Sequence, residues 1–160
     1  LYLLDFEHFR ETGRSVSGMG YRAWMMGPVP AELVQVWDDL NADIAAAIEI
    51  RPEKVHDYVR ENVIAKRAFD DSHFSARETR ILANLAERFR EYLSEKMIDI
   101  THDDNGAWAK VRRNGEGNDK EIPYELAIAE DEPNREELMR RAAEYSMFSR
   151  AGAERAAANS

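Results

Sequence analysis

The residues with the clearest potential for catalysis are the consecutive Thr101, His102, Asp103 and Asp104. An adjacent histidine and aspartate can hold a divalent metal when further ligands converge on the same point. Four other residues could supply those ligands, and none has the i, i+4 spacing that places two ligands on one helix face: His56, Asp70, Asp71 and His73. The pattern therefore favours a structural role, in which Thr101 and His102 hydrogen-bond a turn between two helices and Trp108 packs over it.

Serines, glycines and basic residues give weaker chemical signals. Three serines lack the glycine-flanked elbow that exposes a nucleophile: Ser15, Ser17 and Ser72. Three glycines lack the following lysine of a phosphate-binding loop: Gly13, Gly18 and Gly20. Lys110, Arg112 and Arg113 form a basic patch too small for a nucleic-acid interface. These residues thus assemble no active site, and the sequence predicts no cofactor, no bound metal and no nucleic-acid contact through the visible residues.

Composition predicts one globular domain over residues 1–150. The chain has 160 residues, of which 44% are hydrophobic, and a formal net charge of −9, which favours solubility or a basic protein partner over a phosphate backbone. The absence of cysteine excludes disulfides and thiolate metal sites and fits the cytoplasm. No apolar run approaches the roughly 20 residues that span a bilayer, so the sequence predicts no membrane contact.

Apolar periodicity predicts a first helix that ends at Gly13, with Leu1, Leu4, Phe6 and Phe9 inside and Asp5, Glu7, Arg10 and Glu11 outside. Because the chain opens within this apolar pattern, we expect that the start of the helix, and any segment before it, is missing from this sequence. A glycine- and serine-containing turn leads into an extended segment over residues 21–26, which predicts a strand.

The most unusual local sequence is Gly27, Pro28, Val29 and Pro30. Proline removes a backbone donor, so Gly27 and Pro28 are expected to end the preceding pairing, and Pro30 suits the first turn of a helix. Helical spacing predicts that this helix runs to about Ala47. Residues 63–65 favour a short strand paired with the 21–26 segment over the end of a weak helix.

The second half of the chain predicts further helices. Ser75 and Glu78 form a capping-box pattern that starts a long helix. Its expected buried stripe is Ile81, Leu82, Leu85, Phe89, Tyr92 and Leu93. Ser94 can cap a shorter helix that ends at Thr101, and a last helix begins near Asn134. The expected fold is therefore mainly α with a small β element, an α+β class, followed by a frayed alanine-rich tail over residues 151–160.

The last helix carries an apolar seam at helical spacing, formed by Leu138, Ala142, Tyr145 and Phe148. Such a seam is covered either by the domain's own core or by a partner. Leu138, Tyr145 and Phe148 are the predicted partner-binding residues.

Several motifs occur together and in order: residues 2–9, 13–15 with Gly18, 21–30, 74–75 with Glu78, and 101–103 with Trp108. Together they resemble the SocA-like antitoxins built on the Panacea domain, also known as phage-associated GepA-type proteins. Ten residues of these motifs are interpreted as scaffold: Tyr21, Gly27, Pro28, Pro30, Ser75, Glu78, Thr101, His102, Asp103 and Trp108.

The resemblance implies the antitoxin of a two-gene toxin-antitoxin system, a protein that is not an enzyme. It would neutralise a cognate protein toxin, encoded by the adjacent gene, through direct binding and occlusion. One alternative is a protease adaptor that delivers the toxin for degradation, and another is a metal-dependent hydrolase that uses His102 and Asp103. DNA binding by a missing N-terminal segment stays open.

Overall fold

The structure, a computed structural model, describes residues 1–55 and 57–158. The α-helices are α1 (Tyr2–Thr12), α2 (Ala31–Gln35), α3 (Ala42–Ala47), α4 (Ala76–Phe89), α5 (Ser94–Thr101), α6 (Ala107–Arg112) and α7 (Arg135–Ala158). The strands are β1 (Tyr21–Trp24), β2 (Gly27–Pro30), β3 (Ile48–Val55) and β4 (Tyr58–Ala65), and short 3-10 helices span Arg113–Gly115 and Tyr124–Ala127. These elements confirm the predicted mainly helical α+β class.

The chain forms two compact units. The first contains Leu1–Ala31 and the chain from Ser75 onward, and the second is Glu32–Phe74. In the first unit, α1 packs against α4, α7 and the Tyr124–Ala127 turn. Its core includes six buried residues from α1, β1, α6 and the segment after α6: Phe6, Tyr21, Ala23, Ala107, Trp108 and Ile122. Helix α1 therefore lies at the centre of this unit.

Asp5 is fully buried, with 0% of its surface exposed, so the prediction that it faces outward is wrong. Its Oδ1 accepts the backbone N–H groups of Val16 and Ser17 at 2.8 and 2.7 Å. Its Oδ2 accepts the hydroxyls of Ser17 and Tyr21, the latter at 2.7 Å, and that of Tyr124 at 3.5 Å. The carboxylate replaces water with these donors, which lets a charged side chain occupy the core.

Burial and the neighbouring Asp5 raise the pKa of both Tyr21 and Tyr124 above the usual value. Both phenols therefore stay protonated and remain donors to Asp5 at neutral pH. Tyr124 also donates to the backbone oxygen of Met19 at 2.6 Å. This network ties α1, the segment before β1 and the Tyr124–Ala127 turn together.

The predicted end of α1 at Gly13 is confirmed. Gly13 adopts a left-handed conformation with φ 74°, and its N–H donates to the Phe9 oxygen at 2.8 Å, which is a glycine C-cap. A Cβ at this position would lie 2.6 Å from the Leu138 backbone oxygen. The absence of a side chain therefore both ends α1 and lets α7 approach it closely.

Gly27 and Pro28 begin the second strand of a hairpin, so the prediction that they end the pairing is wrong. Strand β2 runs antiparallel to β1, with Arg22 opposite Val29 and Tyr21 opposite Pro30. Pro28 and Pro30 have no backbone N–H, whereas Val29 between them keeps its own. Because successive N–H groups of a strand point to opposite edges, the two prolines leave one edge of β2 without donors. The two prolines are therefore compatible with pairing to β1 and prevent a further strand from adding to β2.

In the second unit, the predicted helix from Pro30 to Ala47 is wrong, because the chain forms α2 and α3 separately. Asn41 interrupts the helix, since its side chain accepts the N–H of Ile44 at 3.0 Å and caps α3. Residues 63–65 do form a strand, as predicted, but they belong to β4. Strand β4 pairs antiparallel with β3 along eight residues of each strand, so the predicted pairing with the 21–26 segment is also wrong.

The predicted capping box is confirmed. The Ser75 hydroxyl accepts the N–H of Glu78 at 3.3 Å, and the Glu78 carboxylate accepts the N–H of Ser75 at 2.6 Å. The latter bond lowers the pKa of Glu78. Helix α4 ends at Phe89, before the predicted stripe does, so Tyr92 and Leu93 are exposed rather than buried.

The predicted helices near Ser94 and Asn134 are present as α5 and α7, and α7 begins at Arg135. The prediction that Ser94 caps α5 is wrong, because Leu93 occupies the N-cap position and Ser94 is the first helical residue. The backbone of α7 is helical through Ala158. This helix includes most of the tail from residue 151, whose fraying stays a prediction. No helix in the described ranges is long and apolar enough to cross a membrane.

Candidate partner-binding surface

The β1–β2 hairpin presents an apolar tip to solvent. The pairing of Trp24 with Gly27 leaves Met25 and Met26 as a two-residue turn, and Gly27 supplies the φ of 131° with which β2 begins. Met25 and Met26 are 66% and 61% exposed, and Trp24 is also exposed. Contiguous exposed apolar side chains are typical of interaction sites, which makes the tip a candidate contact surface.

An open cavity of about 730 Å³ lies between this hairpin and α5. We name it the methionine groove. Its apolar lining comes from Trp24, Met25, Met26, Pro28, Val29, Met97 and Ile98. Methionine side chains are unbranched and polarizable, so a surface that contains them adapts to differently shaped partners.

Polar contacts fix the hairpin wall of the groove. The indole Nε1 of Trp24 donates to Asp119 Oδ1 at 2.9 Å, and Arg22 donates to the Asp119 backbone oxygen at 3.0 Å. Behind the hairpin, the indole Nε1 of Trp108 donates to the backbone oxygen of Trp24 at 2.9 Å. The exposed methionines thus project from a fixed backbone, which lowers the entropy that a partner must overcome on binding.

His102 and Trp108 stack as the sequence predicts, with ring centroids 3.6 Å apart and planes inclined by 5°. Thr101 and the His102 N–H both hydrogen-bond to the Ile98 oxygen at the end of α5. Desolvation lowers the pKa of His102. The charge of Asp99 opposes this shift, and the charge of Arg112, the smallest of the three effects, adds to it. The imidazole is therefore neutral at pH 7.

Acidification should destabilise the folded protein through His102. The folded-state pKa lies below the unfolded value of about 6.5, so the unfolded chain takes up the proton first and stability falls as the pH drops below about 6.5. The free energy of unfolding in urea should fall less between pH 7.5 and pH 5.5 for His102→Phe than for the natural sequence. Phenylalanine keeps a planar ring at this position and does not titrate. Equal slopes for the two proteins would contradict this assignment.

The described residues bring together no group of three histidines or carboxylates that could hold a metal ion. Asp103 instead accepts the N–H of Asn105 at 2.8 Å, and Asp70 accepts that of Ser72 at 2.9 Å. His56 lies outside the described residues. The geometry of the described part therefore gives the hydrolase alternative no assembled site.

The predicted seam on α7 divides into a buried and an exposed part. Leu138 is only 6% exposed and packs with Phe9, Ile128 and Ala142, so it is a core residue rather than an accessible contact. Phe148 is 77% exposed, and Tyr145 is partly exposed beneath the guanidinium of Arg14, 5.2 Å from the ring centre. Only Tyr145 and Phe148 remain available to a partner.

The motif residues predicted to be scaffold make contacts within the chain. Tyr21 is buried against Asp5, Pro28 and Pro30 lie in β2, and Ser75 and Glu78 cap α4. A Cβ at Gly27 would lie 3.2 Å from the Thr101 hydroxyl, so the hairpin lies close to the end of α5 at this position.

Sequence reasoning missed the buried position of Asp5 and the methionine groove. The available signal for Asp5 was its position on the apolar side of a helix. The methionine groove depends on tertiary packing, so the sequence held no signal for it.

The fold and this surface define a small α+β protein with a fixed scaffold and exposed apolar contacts. A family model described as "Antitoxin SocA-like, Panacea domain" matches residues 1–109. The chain therefore belongs to the SocA-like antitoxin family of the Panacea domain. The corresponding comparisons with curated proteins and with solved structures gave no match.

Proposed function

We propose that this protein is the antitoxin of a two-gene toxin-antitoxin system and that it neutralises a cognate protein toxin in the cytoplasm by binding it directly. The family match over residues 1–109 carries the proposal. The toxin is encoded by the adjacent gene, and binding covers the toxin's functional site. The protein acts by binding, without a catalytic step of its own.

The methionine groove is the proposed main contact with the toxin. Most of its lining lies within the family-matched residues, and its apolar side chains are already exposed in the free chain. Tight sequestration requires buried anchor side chains with a polar rim, and Trp24, Met25 and Met26 can supply those anchors. The exposed Tyr145 and Phe148 on α7 form a second, separate candidate contact.

Co-expression tests the function. Cells that express the adjacent gene should stop growing, and co-expression of the full-length antitoxin should restore growth while the amount of toxin stays constant on an immunoblot. Constant toxin with restored growth is the result expected of occlusion. A fall in toxin abundance would instead indicate delivery to a protease, and a harmless neighbouring gene would overturn the proposal.

Substitutions on the two surfaces test where the toxin binds. The double variant Met25→Ser and Met26→Ser should raise the dissociation constant for the toxin at least tenfold, because two exposed anchors lose apolar contact area. Its Tm should stay close to the natural value, since both side chains are exposed. Leu93→Ser, at another exposed apolar position, is the matched control and should bind normally.

The double variant Tyr145→Ala and Phe148→Ala tests α7 in the same assay. Loss of binding by this variant alone would move the interface from the methionine groove to α7. Normal binding by both double variants would exclude both surfaces.

A further inference from the structure

Each strand in the described ranges pairs with one hairpin partner, which leaves a second edge on every strand. On β1 this edge is covered, because Ala23 donates its N–H to the Lys120 oxygen at 2.9 Å and accepts the N–H of Asp119 at 3.0 Å. On β2 this edge lacks donors, because Pro28 and Pro30 have no N–H. Neither strand of the first hairpin therefore offers a complete edge to a further strand.

The register of the β3–β4 hairpin shows which of its backbone groups point outward. Lys66 donates its N–H to the Ala47 oxygen at 2.8 Å, in continuation of the register of the two strands. Hydrogen-bonded pairs alternate with non-bonded pairs in an antiparallel ladder, so Pro52 lies at a non-bonded position opposite Glu61. An N–H at a non-bonded position points away from the partner strand. Pro52 therefore interrupts the row of donors on the outer edge of β3.

The outer edge of β4 keeps all of its donors. By the same alternation, the N–H and C=O groups of four residues point away from β3: Val59, Glu61, Val63 and Ala65. These outward groups make no backbone hydrogen bond to any residue that the structure describes, and the side chains of Val59 and Val63 are exposed. Strand β4 therefore presents an open edge without proline, the kind of edge that pairs with another strand.

The polar side chains of β4 already have partners within the chain. On one face of the hairpin, Arg60 pairs with Glu53 at 2.6 Å, and Asn62 donates to the same carboxylate. On the opposite face, Glu61 accepts the indole N–H of Trp37 at 2.6 Å. The other β4 side chains on that face are valines and an alanine. A strand added to β4 therefore meets a mainly apolar face that carries one acidic residue.

We propose that two copies of this chain pair through β4 and form an antiparallel dimer whose two-fold axis passes through Asn62. A two-fold contact joins the same surface of both copies, so the side chains of β4 itself select the register. The axis at Asn62 places Val63 opposite Glu61 of the second copy. An axis at Glu61 would bring two carboxylates directly opposite each other, and an axis at Arg60 would do the same with two guanidinium groups, which is unfavourable.

The dimer turns two hairpins into one four-stranded sheet. Pairing over residues 59–65 of both copies forms about eight backbone hydrogen bonds, and a two-stranded hairpin by itself is only marginally stable in water. The contact is smaller than the interface of a permanent dimer, so the dimer should dissociate on dilution. The methionine groove shares no residue with β4. If the proposed function holds, each copy therefore keeps its own groove, and one dimer binds two toxin molecules.

Sedimentation equilibrium of the free full chain at increasing concentrations tests the dimer without any toxin. The average mass should rise from that of one chain toward that of two. Val63→Pro removes an outward N–H and no hydrogen bond to β3, so it should raise the dissociation constant of the dimer at least tenfold. Lys54→Pro is the matched control, because it removes an outward N–H from the edge of β3 that Pro52 already interrupts. It should dimerise as the natural chain does.

Two glutamate substitutions test the register. Val59→Glu and Val63→Glu both add a carboxylate two residues from Glu61 in the same strand, and both positions are exposed. Only the substitution at Val63 lies opposite Glu61 of the second copy, whereas Val59 lies opposite Ala65. Val63→Glu should therefore weaken the dimer severalfold more than Val59→Glu does at low ionic strength, and added salt should reduce the difference.

Three results would overturn the proposal. A chain that stays monomeric at every concentration excludes the dimer. Equal weakening by the two proline variants excludes the edge of β4, and equal weakening by the two glutamate variants excludes the axis at Asn62. Circular dichroism verifies that each variant is folded, and Val63→Glu tests the same edge if Val63→Pro does not fold.

The toxin assay separates this proposal from the proposed function. If the free chain is monomeric and folded Val63→Pro no longer binds the toxin, the edge of β4 pairs with a toxin strand instead of a second copy. A failed rescue of growth by the natural antitoxin would overturn the proposed function and leave the sedimentation result unaffected.

Discussion

Substitution of Asp5 by alanine is expected to lower the free energy of unfolding by about 3–5 kcal/mol and the Tm by roughly 6–20 °C. The carboxylate accepts hydrogen bonds from two backbone N–H groups and from side-chain hydroxyls, with the Tyr21 hydroxyl at 2.7 Å. Alanine leaves these donors unpaired in a site without bulk water, and each unpaired donor costs about 1–3 kcal/mol. Urea denaturation and thermal unfolding followed by circular dichroism measure both quantities.

Two further variants separate the network from general damage to α1. Tyr21→Phe removes one donor and keeps the ring, so it should cost about 1–3 kcal/mol, as expected for one hydrogen bond to a charged group. Glu11→Ala removes an exposed carboxylate of the same helix that pairs with Arg80 at 2.9 Å, and it should cost no more than about 1 kcal/mol. A loss for Asp5→Ala as small as that for Glu11→Ala would show that Asp5 does not organise the core.

Gly13→Ala is expected to destabilise the protein by about 2–4 kcal/mol. Alanine in the left-handed conformation costs about 1–2 kcal/mol by itself. Its Cβ would also lie 2.6 Å from the Leu138 backbone oxygen and 3.2 Å from the Ala142 nitrogen, so α7 must move away from α1 and loosen the packing of Phe9. The free energy of unfolding in urea measures the sum of the two effects.

Gly18→Ala is the matched control because Gly18 has nearly the same φ of 73° but no atom within 4 Å of the added Cβ. It should show the backbone cost alone, about 1–2 kcal/mol. The difference between the two variants therefore reports the close approach of α7 to α1. Equal losses would show that α7 does not pack against Gly13 in solution.

Local sequence signals were sufficient where both partners of an interaction are close in the chain. Ser75 and Glu78 are three residues apart, and the predicted reciprocal hydrogen bonds are present. Gly13 ends α1 because its own backbone conformation decides the cap. The stack of Trp108 on His102 was also predicted, since the two residues are separated by a single short turn.

Sequence reasoning failed where distant residues decide the outcome. Asp5 was placed outside on polarity alone, but donors from Tyr21 and Tyr124 bring it into the core. Residues 63–65 were assigned the wrong partner because β3 lies closer in the chain, and local hairpin pairing costs less loop entropy than pairing with β1. The methionine groove joins a hairpin to α5, and neither segment indicates by itself that a cavity lies between them.

The sequence alone determined the caps at Gly13 and Ser75, the mainly helical α+β class and the family resemblance, because these depend on residue type and short spacing. Tertiary structure alone decided that Leu138 is buried while Phe148 is exposed and that Asp5 is a core acceptor. Helical periodicity places residues on a common face, but it does not say how far the neighbouring elements extend along that face. Burial and hydrogen-bond partners depend on those neighbours, which only the folded chain brings into contact.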